Sequence, residues 1–140
     1  HILIDFPPSL SLLTIMSLVA SNSLVVPLQT EFFALEGLTQ LMKTIERVKN
    51  NLNTNLLIRG ILLTMYDKRN KLSGQVEKEA RDYFKEKVYQ TVVPRNVRLS
   101  EAPSHGIPVL LYDRTCPGSK SYFNFTEEFL NQEKIMETAA

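Results

Sequence analysis

Cysteine is nearly absent from this chain. Its 140 residues include one cysteine, Cys116. A single cysteine cannot form an internal disulfide or build a cysteine-based zinc site, which excludes the secreted disulfide scaffolds and the zinc modules. The only two histidines, His1 and His105, do not form a metal-ligand pair in the sequence. These scarcities predict a protein of the reducing cytoplasm without a cysteine or histidine metal centre.

Long hydrophobic runs are missing as well. The longest run, residues 10–20, contains Ser11, Thr14 and Ser17 and is shorter than the roughly 20 residues that a membrane span needs. A basic leader segment is also absent, and the chain begins with His1 rather than methionine. We therefore expect no transmembrane segment, and we expect these residues to be a fragment of a longer protein.

Basic residues are missing from the first 40 positions, which carry only three charges, all acidic. Residues 41–100 hold 13 Lys or Arg against six Asp or Glu, a net charge of +7, whereas residues 101–140 return to −3. A basic centre of this kind is compatible with a polyanionic partner, because each phosphate contact releases counterions. The alternative is a solvated surface of helix salt bridges.

Apolar runs alternate with segments of helical periodicity, at 44% hydrophobic and 22% charged residues overall. Such alternation predicts an α/β domain with a mostly parallel sheet and helices on both faces. The predicted strands are residues 1–5, 24–26, 56–65, 91–93 and 109–112. The predicted helices are residues 10–20 with Ser9 as its cap, 35–52, 72–84 and a last helix with Tyr122, Phe125, Phe129 and Met136 on one side.

In a sheet of this type, ligands bind beyond the carboxyl ends of the strands. Four segments are expected there, namely residues 5–8, 27–31, 65–70 and 94–98. Asp5 directly follows an apolar run, as does the acid that holds the water shell of Mg²⁺ in P-loop NTPases. The same placement also suits a helix cap, and both interpretations stay open. No serine lies in a nucleophile-elbow motif, so no catalytic residue is assigned.

Several segments resemble the ParA/Soj-type chromosome- and plasmid-partitioning ATPases, which are deviant Walker A relatives of MinD. The matching segments follow the order and spacing of that family through most of the chain. They are Ile4–Leu10, Pro27–Gln29, Glu31–Leu38, Leu63–Asp67, Pro94–Gly106 and Tyr112–Asp113.

The resemblance implies an incomplete three-layer αβα P-loop NTPase fold, in which residues 1–140 are the carboxyl-terminal part of a single ATPase domain. It implies ATP and Mg²⁺ as cofactors of the complete protein, with Asp5 binding Mg²⁺ through water. The adenine and ribose would contact residues after two strands, namely Met65, Pro94, Arg95 and Asn96. Met65 is equally compatible with the core, and Asn96 with a role in capping a turn.

The resemblance also implies partners. They are non-specific DNA, a ParB-type centromere-binding protein that stimulates hydrolysis, and a second copy of the protein that binds when ATP is bound. No membrane partner is implied. The expected location is the cytoplasm, in association with the nucleoid. DNA would be contacted by Arg69 and Arg98, with neighbouring basic residues extending the patch, and Glu31 would approach the partner subunit. These neighbours are Lys68, Lys71, Lys85 and Lys87.

One element of the family is lacking. The five glycines, at 37, 60, 74, 106 and 118, are not clustered, so the Gly-rich phosphate-binding loop with its two lysines is absent from these residues. We therefore expect this chain alone to be inactive as an ATPase. A non-catalytic, truncated or split module that binds DNA or partners is the alternative. A membrane-bound MinD-like ATPase is disfavoured because residues 121–140 hold four acids and only one lysine.

Overall fold

The computed structural model of the chain describes residues 1–6 and 11–138. Three strands and six α-helices follow one another in this part of the chain, with 3-10 turns at Lys85–Lys87 and Ala102–His105. The elements are α1 (Leu12–Ala20), β1 (Ser23–Gln29), α2 (Ala34–Asn51), β2 (Leu57–Tyr66), α3 (Lys71–Phe84), β3 (Val88–Pro94), α4 (Val97–Glu101), α5 (Val109–Tyr112) and α6 (Pro117–Thr138).

The strands form one sheet in the order β1-β2-β3, and both pairs are parallel. Helices α1, α2 and α3 cover one face, where the apolar side chains of alternate β1 residues are buried. The α2 side chains Leu38, Ile45 and Val48 pack into this cluster at the three- and four-residue spacings that its sequence shows. The predicted α/β class with helices on both faces is confirmed.

Helix α6 covers the other face of the sheet. Its Tyr122, Phe125 and Phe129 pack against a second buried cluster that includes Tyr89 and Val93 of β3. These are three of the four residues that the sequence places on one side of the last helix. Among the helices of the described ranges, 1–6 and 11–138, none is long and apolar enough to cross a membrane.

β3 contains a bulge opposite the middle of β2. Ile61 pairs with Val88, but Leu63 pairs with Val92, so three β3 residues lie opposite one residue of β2. Side chains satisfy the backbone groups of this bulge. Glu128 of α6 accepts the N–H groups of residues 90 and 91, and Arg81 of α3 donates to the carbonyl oxygens of residues 89 and 90. Glu128 and Arg81 therefore supply hydrogen-bond partners to backbone groups of β3 at one edge of the sheet.

β1 forms the opposite edge and is longer than the sequence predicts, because it passes through Pro27 to Gln29. The Thr30 N–H donates to the Thr64 carbonyl oxygen of β2 at 3.1 Å. Since alternate residues of a parallel strand direct their backbone groups to opposite sides, position 27 faces away from β2. Proline lacks an N–H and is tolerated at an edge. Among the described strands, none lies beyond β1 on this side.

The predicted strand at residues 1–5 is wrong. Residues 1–6 form no regular structure, and Ile2 and Leu3 are exposed. A strand needs a neighbour, and no described strand lies beyond β1 to provide one. The His1 ring lies instead against Phe129 of α6, and its Nε2 is 3.3 Å from the Glu133 carboxylate.

The predicted strand at residues 109–112 is also wrong, since these residues form the single helical turn α5. The Pro108 carbonyl oxygen accepts the N–H groups of Leu111 and Tyr112, and the Val109 carbonyl oxygen accepts that of Asp113. In this short run, local hydrogen bonds therefore take the place of pairing with a strand. The predicted cap Ser9 lies outside the described residues, and α1 begins at Leu12 after Ser11.

Candidate functional site

The carboxyl ends of the three strands are joined to one another. Thr30, directly after β1, bonds to Thr64 near the end of β2, and the Arg95 N–H after β3 donates to the Tyr66 carbonyl oxygen at 2.9 Å. Tyr66 and Pro94 are also partners in the sheet register. Three of the four segments that the sequence predicts to meet at this edge, 27–31, 65–70 and 94–98, therefore meet there.

Met65 has an unusual backbone conformation at this edge. Its φ of 53° lies in the left-handed region, which side-chain-bearing residues rarely adopt. Met65 lies within β2 at a bulge, where residues 64 and 65 are opposite the single residue 93 of β3, and the strand ends at Tyr66. Strained residues of this kind cluster at functional sites, where the surrounding structure holds them. The Met65 side chain is only partly buried, so it is not a pure core residue.

Two buried hydroxyl groups lie beneath Met65. The Thr30 Oγ1 atom is 3.4 Å from the Met65 carbonyl oxygen and 3.2 Å from the Ser73 Oγ atom. Neither residue was singled out from the sequence, although Thr30 lies in the predicted segment 27–31. The signal for Ser73 is its spacing of three and seven from the buried Val76 and Ala80, which places it on the inner face of α3.

The loop after β2 and the first residue of α3 present three basic residues. Arg69 donates from Nε and Nη2 to the two carboxylate oxygens of Asp67, at 3.1 and 3.0 Å. These hydrogen bonds lower the pKa of Asp67 to about 2. Arg69, Lys68 and Lys71 are exposed, and Asn70 begins α3 by accepting the Leu72 N–H at its Oδ1 atom. The loop therefore carries a fixed guanidinium between two exposed lysines.

The turn after β3 holds Asn96 and Arg98. The Asn96 Oδ1 atom accepts the Arg98 N–H at 3.0 Å and so caps α4, which is the structural role that the sequence left open. This cap does not use the Asn96 side-chain N–H₂ group. Arg98 donates to Glu101 at 2.8 Å, and its Nε lies 3.5 Å from an Asp113 oxygen. Two acids therefore hold the Arg98 guanidinium, which is half exposed.

Asp5 and Glu31 are less constrained. Asp5 is exposed and follows no strand, so the structure does not bring it into the joined strand ends. In the residues that the structure describes, no group of three or more His, Cys, Asp or Glu side chains could hold a metal ion. Glu31 is exposed in the turn between β1 and α2, next to the exposed pair Phe32 and Phe33, whose rings meet edge to face.

Lys85 and Lys87 do not extend the basic patch. They precede β3, whereas Arg95 and Arg98 follow it. β3 has seven residues, and a strand rises about 3.3 Å per residue, so these lysines lie roughly 20 Å away at the other end of the sheet. The basic residues at the strand carboxyl ends are Lys68, Arg69, Lys71, Arg95 and Arg98.

The chain has clear similarity to known proteins. A family model described as an AAA domain matches residues 1–58. The chromosome partitioning protein ParA of Caulobacter vibrioides is 56% identical over 140 residues, which is all of this chain and 52% of that protein. The sporulation initiation inhibitor protein Soj of Bacillus subtilis is 56% identical over 128 residues, covering 91% of this chain and 51% of its own length.

Among solved structures, the crystal structure of cobyrinic acid a,c-diamide synthase from Mycobacterium smegmatis with bound ADP and magnesium is similar. Its TM-score is 0.73 at 31% sequence identity, over 93% of this chain and 46% of that one. The chain thus spans about half the length of the curated relatives it matches. With more than half of its residues identical to theirs along most of its length, the chain is homologous to about half of the ParA and Soj chromosome-partitioning proteins.

Proposed function

We propose that this chain is the carboxyl-terminal part of a single ParA-type ATPase domain, and that it supplies the base side of the nucleotide site and a surface that binds DNA without sequence specificity. The observation that carries the proposal is the joined edge of strand ends. It places the strained Met65, the Asn96 turn and two basic segments side by side.

The open edge of β1 supports the assignment to part of one domain. Among the described strands β1 has no neighbour on its outer side, and covering such an edge with another segment is one way in which native proteins protect it. The chain also spans only about half of its relatives. In this proposal, a strand from outside the 140 residues pairs with β1.

The residues present fit the base side of ATP. The Asn96 side-chain N–H₂ group is not used by its cap and suits a ring nitrogen or ribose oxygen acceptor. Met65 offers a polarizable, partly exposed side chain for packing against a purine. Pro94 and Arg95 continue this surface, since the Arg95 backbone is fixed to Tyr66.

The residues present do not fit the phosphates or Mg²⁺ on their own. Asp5 is one exposed carboxylate, and the five glycines form no phosphate-binding loop. Bound ATP with Mg²⁺ supplies a phosphoanhydride whose cleavage needs amides and cations around the β- and γ-phosphates. This chain alone is therefore proposed to be inactive, and no hydrolytic step is assigned to its residues.

The basic segments suit a phosphodiester backbone. Lys68 and Arg69 lie in the loop after β2 with a single acid, Asp67, Lys71 is the first residue of α3, and Arg98 lies after the neighbouring strand. Exposed lysine and arginine side chains displace condensed counterions from DNA regardless of base sequence. Such a surface serves a protein that holds bulk DNA rather than one operator.

The proposal includes further partners. We place a second copy of the ATP-bound protein at Glu31, beside the exposed Phe32–Phe33 pair. A ParB-type protein that stimulates hydrolysis and an association with the nucleoid belong to the same proposal. The missing phosphate loop favours one alternative, a non-catalytic module that retains only DNA or partner binding.

The proposal is tested by binding of a fluorescent duplex of arbitrary sequence. Because phosphate contacts dominate, we expect the affinity to fall steeply as the salt concentration rises. Arg69→Ala or Arg98→Ala should weaken binding to every duplex sequence equally. Each should also reduce the slope of log binding constant against log salt concentration by about 1. Lys85→Ala is the control, because Lys85 lies at the far end of β3. Unchanged binding in both arginine variants would contradict the assigned surface.

A further inference from the structure

Thr30 and Ser73 form a buried hydroxyl pair at the strand ends. Their exposed fractions are 1% and 2%. The two oxygens are 3.2 Å apart, and the Ser73 hydroxyl also reaches the Thr30 carbonyl oxygen at 3.3 Å. Polar groups buried in this way cost stability unless they are hydrogen-bonded, so their partners identify what they hold.

The partners belong to the last residues of β2 and to the first residue after it. The Thr30 hydroxyl lies 3.4 Å from both the Thr64 and the Met65 carbonyl oxygens. Directly after the strand, the Asp67 N–H points to the Ser73 hydroxyl oxygen at 3.5 Å. The pair therefore contacts the chain immediately before and immediately after Tyr66.

Residues 64–67 contain the strained Met65 and lead into the basic loop. A left-handed conformation is unfavourable for a residue such as Met65, so neighbouring contacts must favour it over extended alternatives. The two hydroxyl groups are contacts of this kind, and each comes from a different element. Thr30 follows β1, and Ser73 lies in the first turn of α3.

We infer that Thr30 and Ser73 are positioning residues, which fix the Met65 peptide and thereby present the loop of Lys68 and Arg69 to a phosphate backbone. The inference rests on the proposed DNA-binding function for its consequence. The geometric part, fixation of the loop by the two hydroxyls, stands independently of it. Neither residue is exposed enough to touch DNA itself.

The test compares variants of the full 140-residue chain by amide hydrogen exchange and by duplex binding. Ser73→Ala and Thr30→Val remove the hydroxyls with little change of shape, and Thr30→Ser restores one. Thr39→Val is the control, since the Thr39 hydroxyl bonds only to Leu35 of its own helix and is exposed.

We expect Ser73→Ala and Thr30→Val to speed exchange at residues 67–70 about fivefold, the size of one hydrogen bond, and to weaken duplex binding by a similar factor. Thr30→Ser and Thr39→Val should match the unsubstituted chain. Exchange at the β1 and β2 core amides reports general loosening. If those amides accelerate as much as residues 67–70, the role is merely structural and the inference fails.

Unchanged loop exchange in both hydroxyl-deleted variants would overturn the fixation. If loop exchange accelerates while duplex affinity stays the same, the link from the loop to DNA is refuted. An unsubstituted chain that binds no duplex would contradict the proposed function, while the exchange data would still decide whether the hydroxyl pair holds the loop.

Discussion

Glu128 of α6 accepts the backbone N–H of Thr91 at 2.9 Å, inside the bulge of β3. The same carboxylate accepts the N–H of Gln90 at 2.7 Å. A helix side chain thus serves backbone groups that the neighbouring strand leaves unpaired, and it attaches α6 to the edge of the sheet. On the same bulge, Arg81 of α3 donates to the carbonyl oxygens of residues 89 and 90. The backbone donors of the bulge are thus bound by a carboxylate, and its backbone acceptors by a guanidinium.

Glu128→Ala is expected to destabilise the chain by about 2 kcal/mol, because two backbone donors lose a charged acceptor. Urea unfolding followed by circular dichroism measures the change. The matched control is Glu127→Ala, since Glu127 is the exposed neighbour on the same helix. Equal stability of the two variants would show that the contact contributes nothing.

Gly60→Ala is expected to destabilise the chain by about 1–3 kcal/mol through overpacking. A Cβ atom at position 60 would lie 2.5 Å from Cε2 of the Tyr89 ring, which the β3 bulge places against β2. Gly74→Ala in α3 meets nothing within 4 Å and should stabilise by about 0.5–1 kcal/mol. A Gly60→Ala variant as stable as the unsubstituted chain would contradict the packing of Tyr89.

The carboxyl group of Asp67 is expected to titrate near its pKa of about 2, below its ordinary value of 3.8, chiefly because of the Arg69 side-chain hydrogen bonds. A lowered pKa in the folded state adds stability that is fully present above about pH 4 and is lost as the pH falls through about 2. Arg69→Ala should return the pKa towards its ordinary value.

Nuclear magnetic resonance titration of the Asp67 carboxyl carbon measures this shift. Lys68→Ala serves as the control, because Lys68 is not among the groups that lower the pKa of Asp67. The stability difference between Arg69→Ala and the unsubstituted chain should shrink between pH 4 and pH 2. A pKa that stays near 2 without Arg69 would show that another group holds the loop carboxylate.

Helices α2 and α3 were predictable because their apolar residues recur with the helical period, which depends on the sequence of the helix alone. The prediction of a strand at residues 1–5 was wrong because a strand also needs a neighbouring strand to pair with. An apolar run in the sequence does not show whether that neighbour is present. The prediction of a strand at residues 109–112 was wrong for a related reason. The Pro108 carbonyl oxygen accepts N–H groups from within the run, so these residues form the helical turn α5 and not a strand.

The candidate site was predictable only in part. The rule that ligands bind at strand carboxyl ends placed Met65 and Asn96 together, and the structure joins their segments. The left-handed backbone of Met65 and the hydroxyl pair below it depend on contacts between β1, β2 and α3. Thr30 and Ser73 are ordinary residues in the sequence, and only the packing of three elements gives them a role.

ATP hydrolysis tests the central proposal most directly. The chain is assayed alone and after fusion to the part of Caulobacter vibrioides ParA that it does not match. We expect no turnover by the chain alone, turnover by the fusion, and a higher KM for ATP when the fusion carries Asn96→Ala or Met65→Ala. Turnover by the chain alone, or a folded fusion whose KM for ATP is unchanged by both substitutions, would contradict the proposal.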